Sequence, residues 1–350
     1  MRYQHVDLRA IGYELAPHVV TSADLERRLA PVYRKLGMPP GQIEMLTGVR
    51  ERRFWEEGDG QSMADHAAVA AGRALAAADV SPEQIGMLVY GGVCRDNLEP
   101  ATACAVADAL GIGGSVIVHD VSNACLGVMN GVFQVANAIE LGQITAGLVV
   151  SCESARPIVD LTIQRMLDHP DLDTVRLAMA TMTGGSGAAA LVLTDRATGG
   201  DSPRHQVVGG VIRGAPQHHR LSRWGPDSGT PPSAAQVMDT DAARTMQEGV
   251  KLGVATYRAF MQEVGWPVGG PDRVICHQVG APHRISVMES MGLDLSRDFC
   301  TFAYLGNIGT VSLPVTAAIA QQRGVLQPGQ RVGFFGIGSG LNCLMLGIQW

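Results

Sequence analysis

Short apolar runs alternate with longer stretches of helical composition along the chain. The runs predict buried strands, which are bounded by turn-forming residues. The predicted strands span residues 85–91, 115–121, 146–152, 188–193, 273–277 and 332–335. The predicted helices span residues 63–78, 126–141, 285–291 and 315–322. Strands and helices in alternation are typical of an α/β fold with helices on both faces of the sheet.

Three segments indicate how the chain is organised. Residues 126–141 are apolar almost all round, which predicts a helix buried in the middle of the fold. The polar stretch 195–204 predicts the junction between a first half, residues 1–200, and a second half, residues 201–350. The stretch 215–235 is rich in Pro, Gly, Ser and His, so we predict a long surface loop there.

Composition, net charge and cysteine spacing indicate a folded globular protein and argue against several other classes of protein. With 46% hydrophobic and 17% charged residues, the 350-residue chain can bury a large interior, and disorder is excluded. The net charge is −6 and no basic run occurs, which argues against nucleic acid as a partner. No apolar stretch reaches the length of about 20 residues that a membrane span needs. The seven cysteines lack the spacing of a disulfide framework or a metal site, so we expect a cytoplasmic protein with free thiols and no metal.

The first candidate site is Cys125, between a predicted strand and the buried helix 126–141. A thiol at a helix N-terminus lies at the positive end of the helix dipole, which favours the thiolate. A thiolate is the nucleophile that attack on a thioester carbonyl requires. The alternative is that Cys125 is a small buried hydrophobic residue, which is the commoner role of a single cysteine.

Three further candidates lie in the second half of the chain. His277 ends a predicted strand before a loop, where its ring can face a cleft, while His283 lies farther along and is the weaker competitor. Asn307 is flanked by glycines, which allow the backbone to bring the amide close to a substrate. The glycine-rich segment 333–342 lies too near the end of the given sequence for a dinucleotide-binding βαβ unit, so we expect its N–H groups to hold an oxyanion.

The order Cys125, His277, Asn307 and GIGSG (336–340) resembles the ketosynthase III branch of the thiolase superfamily over essentially the whole chain. Within that branch the chain is most similar to the OleA-type head-to-head acyl-CoA condensing enzymes. The motifs that carry this likeness are RERRFW (50–55), CRDNLEPATA (94–103), SNACLGVMNG (122–131), HQVGAPH (277–283) and GIGSGLNC (336–343).

The resemblance implies a thiolase-like α-β-α-β-α fold of two similar halves, each with a five-stranded sheet, in a homodimer. It implies that Cys125 carries the acyl group, and that His277 and Asn307 bind the enolate oxygen of a second thioester. The backbone N–H groups of Cys125 and Gly340 would form the other oxyanion hole. Coenzyme A thioesters would be the substrates, with an acyl carrier protein as the alternative donor, and no further cofactor is implied. Residues 156–183 are expected to line the acyl tunnel.

Two departures from related families restrict the activity. Fatty-acid-initiating enzymes carry an arginine and a tryptophan for coenzyme A where this chain has Leu46 and Gln42, so coenzyme A contacts are not carried over. Degradative thiolases use a second cysteine where this chain has Gly336.

Glu99 decides between two kinds of condensation. It matches the glutamate that OleA-type enzymes supply from the neighbouring subunit as a base, and a carboxylate that enters an apolar tunnel loses hydration and becomes more basic. Without a base, the chain would be a decarboxylating 3-oxoacyl carrier-protein synthase III-like enzyme of fatty acid or secondary metabolism. A surface role for Glu99, and a non-catalytic partner subunit, are the remaining alternatives.

Overall fold

The computed structural model describes residues 1–58, 60–198, 204–226 and 236–350. In these residues the strands are β1 (Val6–Leu15), β2 (His18–Thr21), β3 (Glu51–Phe54), β4 (Met87–Gly91), β5 (Ile117–Val121), β6 (Ala146–Glu153), β7 (Gly187–Asp195), β8 (His205–Gly214), β9 (Ser222–Pro226), β10 (Gln236–Thr240), β11 (Arg273–Cys276), β12 (Arg331–Gly338) and β13 (Asn342–Gln349). The helices are α1 (Ser22–Arg28), α2 (Ala30–Leu36), α3 (Gln42–Thr47), α4 (Met63–Ala78), α5 (Thr102–Ala109), α6 (Gly127–Glu140), α7 (Arg156–Asp168), α8 (Leu172–Ala178), α9 (Ala242–Val264), α10 (Ala281–Ser290), α11 (Phe302–Leu305) and α12 (Ser312–Gln322).

The main sheet runs in the order β11-β12-β13-β8-β1-β7-β6-β4-β5. Strands β4, β5 and β6 are parallel, as are β11 and β12, and the other neighbours in the sheet are antiparallel. The first half supplies five strands, as expected, but the second half supplies four among the described residues. The two halves join where Asp7 and Leu8 of β1 pair with Gln206 and His205 of β8, so nine of the described strands form one continuous sheet.

The fold has five layers, and helices α6 and α12 form the central one. Helices α4 and α5 cover the outer face of the first half, and α9, with α10 packed on it, covers the outer face of the second half. Between the two halves, α6 contacts β4, β6 and β7, whereas α12 contacts β1, β7, β11 and β12. Ten of the 14 residues of α6 are buried, which confirms the helix predicted for the middle of the fold.

Most predicted elements are present with shifted ends. Helix α4 has the predicted bounds because Ser62 and Asp65 cap each other's backbone N–H at its start. Helix α10 begins at Ala281, four residues before the predicted start, with Pro282 in its first turn. Strand β1 was not predicted because the buried charges Asp7 and Arg9 interrupt its apolar pattern.

The expected surface loop at 215–235 is only partly a loop. Its described part includes strand β9, which pairs with β10, and its residues 219 and 222–224 line a cavity. Residues 227–235 lie outside the described residues. The boundary at residue 200 stays a prediction, because residues 199–203 also lie outside them. Within the described ranges, no helix has the length and apolarity needed to cross a bilayer.

Candidate active site

Cys125 lies in the short loop between β5 and α6. The preceding residue, Ala124, has a φ of 47°, a left-handed conformation that is uncommon for a residue with a side chain. Helix α6 begins two residues after Cys125, at Gly127, where an added Cβ would lie 2.7 Å from the carbonyl carbon of Gly91. Close packing of the helix start on β4 therefore requires glycine at 127, and it holds the loop of Cys125 at the carboxyl ends of the strands.

Two adjoining cavities, of about 480 Å³ and 360 Å³, meet at Cys125 and Asn307, which line both. The first cavity is also lined by Glu153 and Gly340. The second is lined by His277 and His283. The residues that the sequence singled out in the two halves of the chain, Glu99 excepted, therefore surround one connected space.

Segment 156–183 contributes to the walls of both cavities. Ile158 and Thr181 line the first, Met179 lines the second, and Ala180 and Thr183 line both. The part of the chain expected to line a tunnel therefore does border the space around Cys125.

The electrostatics of Cys125 differ from the sequence-based expectation. Burial, and then the nearby carboxylate of Glu153, raise the pKa of the Cys125 thiol to about 12, while its own backbone N–H lowers it. This loss of solvation opposes the dipole of α6, which begins two residues beyond the thiol. In the resting site Cys125 is therefore a neutral thiol.

His277 follows β11 and is 5% exposed. Burial, with His283 nearby, lowers the pKa of His277 to about 3, and burial lowers the pKa of His283 to about 4. Both rings are therefore neutral at physiological pH. A neutral imidazole donates one N–H, so His277 can donate a hydrogen bond to an oxygen in the second cavity without carrying charge.

The carboxamide of Asn307 is oriented by its own loop. Its Oδ1 accepts a hydrogen bond from Gly309 N at 3.1 Å, and its backbone N–H donates to Thr183 O at 2.9 Å. Gly306 has a φ of 69°, and an added Cβ there would lie 2.3 Å from Thr183 O, so this close approach requires glycine. With Oδ1 engaged, the Nδ2 group is the side of Asn307 that can donate to a ligand.

The turn between β12 and β13 closes the site beside Cys125. An added Cβ at Gly338 would lie 3.5 Å from the backbone nitrogen of Cys125. Gly340 has a φ of 139°, and an added Cβ would lie 2.6 Å from Nδ2 of Asn342. That amide instead donates to Asn123 Oδ1, which ties the turn to the loop of Cys125.

Comparisons with known proteins agree with this geometry. The N-terminal thiolase domain matches residues 58–178, and the C-terminal domain of 3-oxoacyl-[acyl-carrier-protein] synthase III matches residues 261–350. The chain is 49% identical to an acyl-CoA:acyl-CoA alkyltransferase of Shewanella oneidensis and 36% identical to one of Xanthomonas campestris, each over the full length of both chains. It belongs to the OleA family of the thiolase superfamily.

Solved OleA structures share the fold of this chain. A variant of Xanthomonas campestris OleA, with bound lauric acid and lauroyl-CoA, superimposes with a TM-score of 0.90 at 34% identity, covering 99% of this chain and 100% of that one. The thiolase-like fold predicted from the sequence is therefore confirmed.

Glu99 is the predicted OleA-type site residue that the single chain does not bring to the cavities. It lies in the loop between β4 and α5, where residues 96–100 are exposed. The preceding Leu98 is 98% exposed. In the single chain, Glu99 therefore does not border the space around Cys125.

Glu153 is a site residue of this OleA-family chain that sequence reasoning missed. It ends β6, is 4% exposed and lines the first cavity. The signal was present, because a glutamate directly follows the predicted apolar strand 146–152. Among the described residues, no group of three or more His, Cys, Asp or Glu side chains could hold a metal ion.

Proposed function

We propose that this chain joins two fatty acyl-CoA molecules by a non-decarboxylative Claisen condensation, through an acyl-cysteine, to a 2-alkyl-3-ketoacyl product. The observation that carries this proposal is the meeting of Cys125, His277 and Asn307 at two adjoining cavities. Relatives at 49% and 36% identity over the full length are acyl-CoA:acyl-CoA alkyltransferases, which supports the same reaction class here. An OleA structure holding lauroyl-CoA supports coenzyme A thioesters as substrates.

In the first half-reaction the Cys125 sulfur attacks the carbonyl carbon of one acyl-CoA. The thiol loses its proton, the carbon–sulfur bond to coenzyme A breaks, and coenzyme A leaves as a thiol. The backbone N–H groups of Cys125 and Gly340 hold the oxyanion of the tetrahedral intermediate. Because the resting thiol has a raised pKa, its deprotonation has to accompany substrate binding or attack.

In the second half-reaction a base removes a proton from the α-carbon of the second acyl-CoA. His277 and Asn307 donate hydrogen bonds to the thioester oxygen as it becomes an enolate oxygen. The neutral state of His277 is compatible with this role because a neutral imidazole still donates one N–H hydrogen bond. The enolate carbon then attacks the acyl-Cys125 carbonyl, the new carbon–carbon bond forms, and the cysteine sulfur leaves.

The base in this proposal is the partner subunit's Glu99, in a homodimer. The support is the exposure of residues 96–100 together with the 98% exposure of Leu98. Strand β5 lies at the edge of the sheet, and its Ile117 is 49% exposed. An exposed sheet edge of this kind is suited to contact with a second copy.

The protein is proposed to act in the cytoplasm, and it needs no metal or cofactor beyond the coenzyme A thioesters in this mechanism. The seven cysteines are all free thiols, which fits a reducing compartment.

A second candidate is a decarboxylating 3-oxoacyl carrier-protein synthase III-like reaction. The match of residues 261–350 to the C-terminal domain of such synthases favours it. That reaction makes its carbanion by losing carbon dioxide from a malonyl group, so it needs no glutamate base.

One assay separates the two reactions. Pure protein is incubated with a long-chain acyl-CoA alone. The 2-alkyl-3-ketoacyl thioester is hydrolysed by water to the 3-keto acid, and the sample is analysed for the coupled ketone that this acid forms on losing carbon dioxide. Ketone formation without any malonyl thioester supports the alkyltransferase reaction. A strict requirement for malonyl thioester supports the second candidate instead.

A further inference from the structure

Glu153 is a buried acid at the active site to which the mechanism above gives no task. It is 4% exposed at the end of β6, and its side chain borders the cavity that Cys125 and Asn307 share. A buried carboxylate is costly unless several donors satisfy it. The groups that donate hydrogen bonds to Glu153 therefore indicate which segments its carboxylate holds in place.

The carboxylate accepts backbone hydrogen bonds from two separate loops. Val93 N donates to Oε1 at 3.0 Å and Cys94 N donates to Oε2 at 3.3 Å, both from the segment that leads from β4 towards Glu99. The backbone N–H of Thr310 also donates to this carboxylate, from the loop that carries Asn307. Glu153 therefore links the segment leading to Glu99 with the loop of Asn307.

Gly309 makes the second link possible. It has a φ of 58°, and an added Cβ would lie 3.1 Å from the carboxyl carbon of Glu153. The next residue, Thr310, also accepts a hydrogen bond on Oγ1 from Val128 N at 2.7 Å, in the first turn of α6. The loop of Asn307 is thus fixed on one side to the helix that follows Cys125 and on the other side to Glu153.

We propose that Glu153 is a positioning residue for the condensation, whose carboxylate sets the place of Asn307 relative to Cys125 and anchors the segment that leads to Glu99. This inference rests on the proposed function, because it assigns the residue to the step in which Asn307 binds the enolate oxygen. Glu153 acts through backbone N–H groups and does not itself touch the reacting atoms.

A charged anchor beside the nucleophile has an electrostatic effect that a neutral one lacks. The titratable groups that face Glu153 are the thiols of Cys94, Cys125 and Cys152 and the phenol of Tyr90. Burial is the main cause that raises the pKa of each, and the charge of Glu153 raises it further. Burial raises the pKa of Glu153 itself, whereas the hydrogen bonds from Val93, Cys94 and Thr310 lower it. Removing the charge should therefore make the Cys125 thiolate easier to form.

The test compares two substitutions with a matched control. Glu153→Gln keeps the length of the side chain and removes the charge, while Glu153→Asp keeps the charge and shortens the reach. The control is Glu26→Gln, because Glu26 is also buried and also accepts two backbone N–H groups, from Gly41 and Ile43. For each protein, the alkylation rate of Cys125 by iodoacetamide between pH 8 and 9.5 is followed by mass spectrometry of its peptide. Acylation of Cys125 and formation of ketone from acyl-CoA are measured in parallel.

Glu153→Gln should alkylate on the order of tenfold faster than the wild type at the same pH, because loss of the nearby negative charge lowers the pKa of Cys125. Glu153→Asp and Glu26→Gln should alkylate at the wild-type rate. Both substitutions at 153 should slow condensation on the order of 10- to 100-fold, and acylation less, because Asn307 is misplaced. If the glutamine variant does not fold, the aspartate variant still tests the positioning role, because its condensation should slow more than its acylation.

Condensation at the wild-type rate in Glu153→Asp overturns the proposal, and an unchanged alkylation rate in Glu153→Gln overturns the electrostatic effect assigned to the charge. An equal loss of acylation and condensation, matched by Glu26→Gln at equal loss of thermal stability, also overturns it, because the residue is then purely structural. Failure of the wild type to form ketone contradicts the proposed function instead, and the alkylation comparison remains separate from that result.

Discussion

Asn342 donates a hydrogen bond from its side-chain amide to Asn123, with 2.9 Å between Nδ2 and Oδ1. Asn123 in turn donates to Asn130 Oδ1 at 2.6 Å. The hydrogen bond between Asn342 and Asn123 joins the start of β13, in the second half of the chain, to the loop that holds Cys125. It therefore fixes Gly340 relative to the nucleophile.

Loss of this bond should weaken both stability and acyl transfer. We expect Asn342→Ala to lower the free energy of unfolding by about 1–3 kcal/mol, since it leaves a partly buried acceptor on Asn123 unpaired. Acylation of Cys125 should slow because Gly340 shifts. Urea unfolding of Asn342→Ala, Asn123→Ala and the double variant measures the interaction energy between the two side chains. Strictly additive changes in the free energy of unfolding would contradict this interaction.

Acyl transfer should depend on Cys125 and on no other tested cysteine. Cys125→Ala should abolish formation of the acyl adduct, whereas Cys152→Ala and Cys343→Ala should retain it. The two control thiols are buried in β6 and β13, at 0% and 2% exposure. Mass spectrometry of protein treated with acyl-CoA locates the adduct, and an adduct mainly on another peptide would refute the nucleophile.

Condensation should depend on His277 and Asn307 more than acylation does. Each change to alanine should slow carbon–carbon bond formation on the order of 10²–10³, as expected for one lost oxyanion donor. His283→Ala is the matched control, because His283 lines the same cavity as His277. Single-turnover assays with pre-acylated enzyme isolate the second step. A wild-type rate for Asn307→Ala would remove its assigned role.

Changes at Glu99 should separate the two half-reactions. Glu99→Gln should allow Cys125 to become acylated yet stop carbon–carbon bond formation, since only the second step needs a proton acceptor. The mixed dimer of a Cys125→Ala chain and a Glu99→Ala chain should keep one working site, whereas both homodimers should not condense. An inactive mixed dimer would place Glu99 in its own chain's site.

Stability should fall in mild acid, partly because of His205. Its ring stacks on Trp350 at 3.9 Å, and among the described residues neither ring nitrogen has a hydrogen-bond partner. Burial lowers the pKa of His205 to about 4, below the unfolded value near 6.5, so the unfolded chain binds more protons between these values. The free energy of unfolding therefore decreases as pH falls through that window, by at most about 1.4 kcal/mol per pH unit for one group.

His205→Phe keeps the stacking and removes this titration. Urea unfolding at pH 5, 6 and 7 should show a shallower loss of stability than in the wild type, while the exposed control His5→Gln should match the wild type. Some slope should remain, because His277 and His283 also have lowered pKa values. Equal slopes in His205→Phe and the wild type would contradict the assignment.

The sequence predicted best where one local pattern determines the structure. Helix α4 and the buried helix α6 follow from local composition. Cys125, His277 and Asn307 were instead singled out by the order of their motifs, which resembles that of a known family, because each residue alone has a commoner structural role. The resting charge state of Cys125 could not be predicted, because it depends on the burial of the thiol and on Glu153, which is near only in the folded chain. The positioning role proposed for Glu153 could not be predicted either, because its hydrogen-bond donors lie in loops that are far from it in sequence.

The place of β1 in the sheet has a consequence for synthesis of the protein. Its residue Val6 pairs with Asp195, and its other edge pairs with β8. A ribosome must therefore translate nearly 200 residues before β1 can pair with β7. Pairing across so long a stretch of chain is slow. The inner face of β1 and β7 is covered only after α12, which begins at Ser312, has been translated. Until nearly the whole chain has emerged, the nascent protein exposes an apolar surface and an open strand edge that chaperones would have to shield.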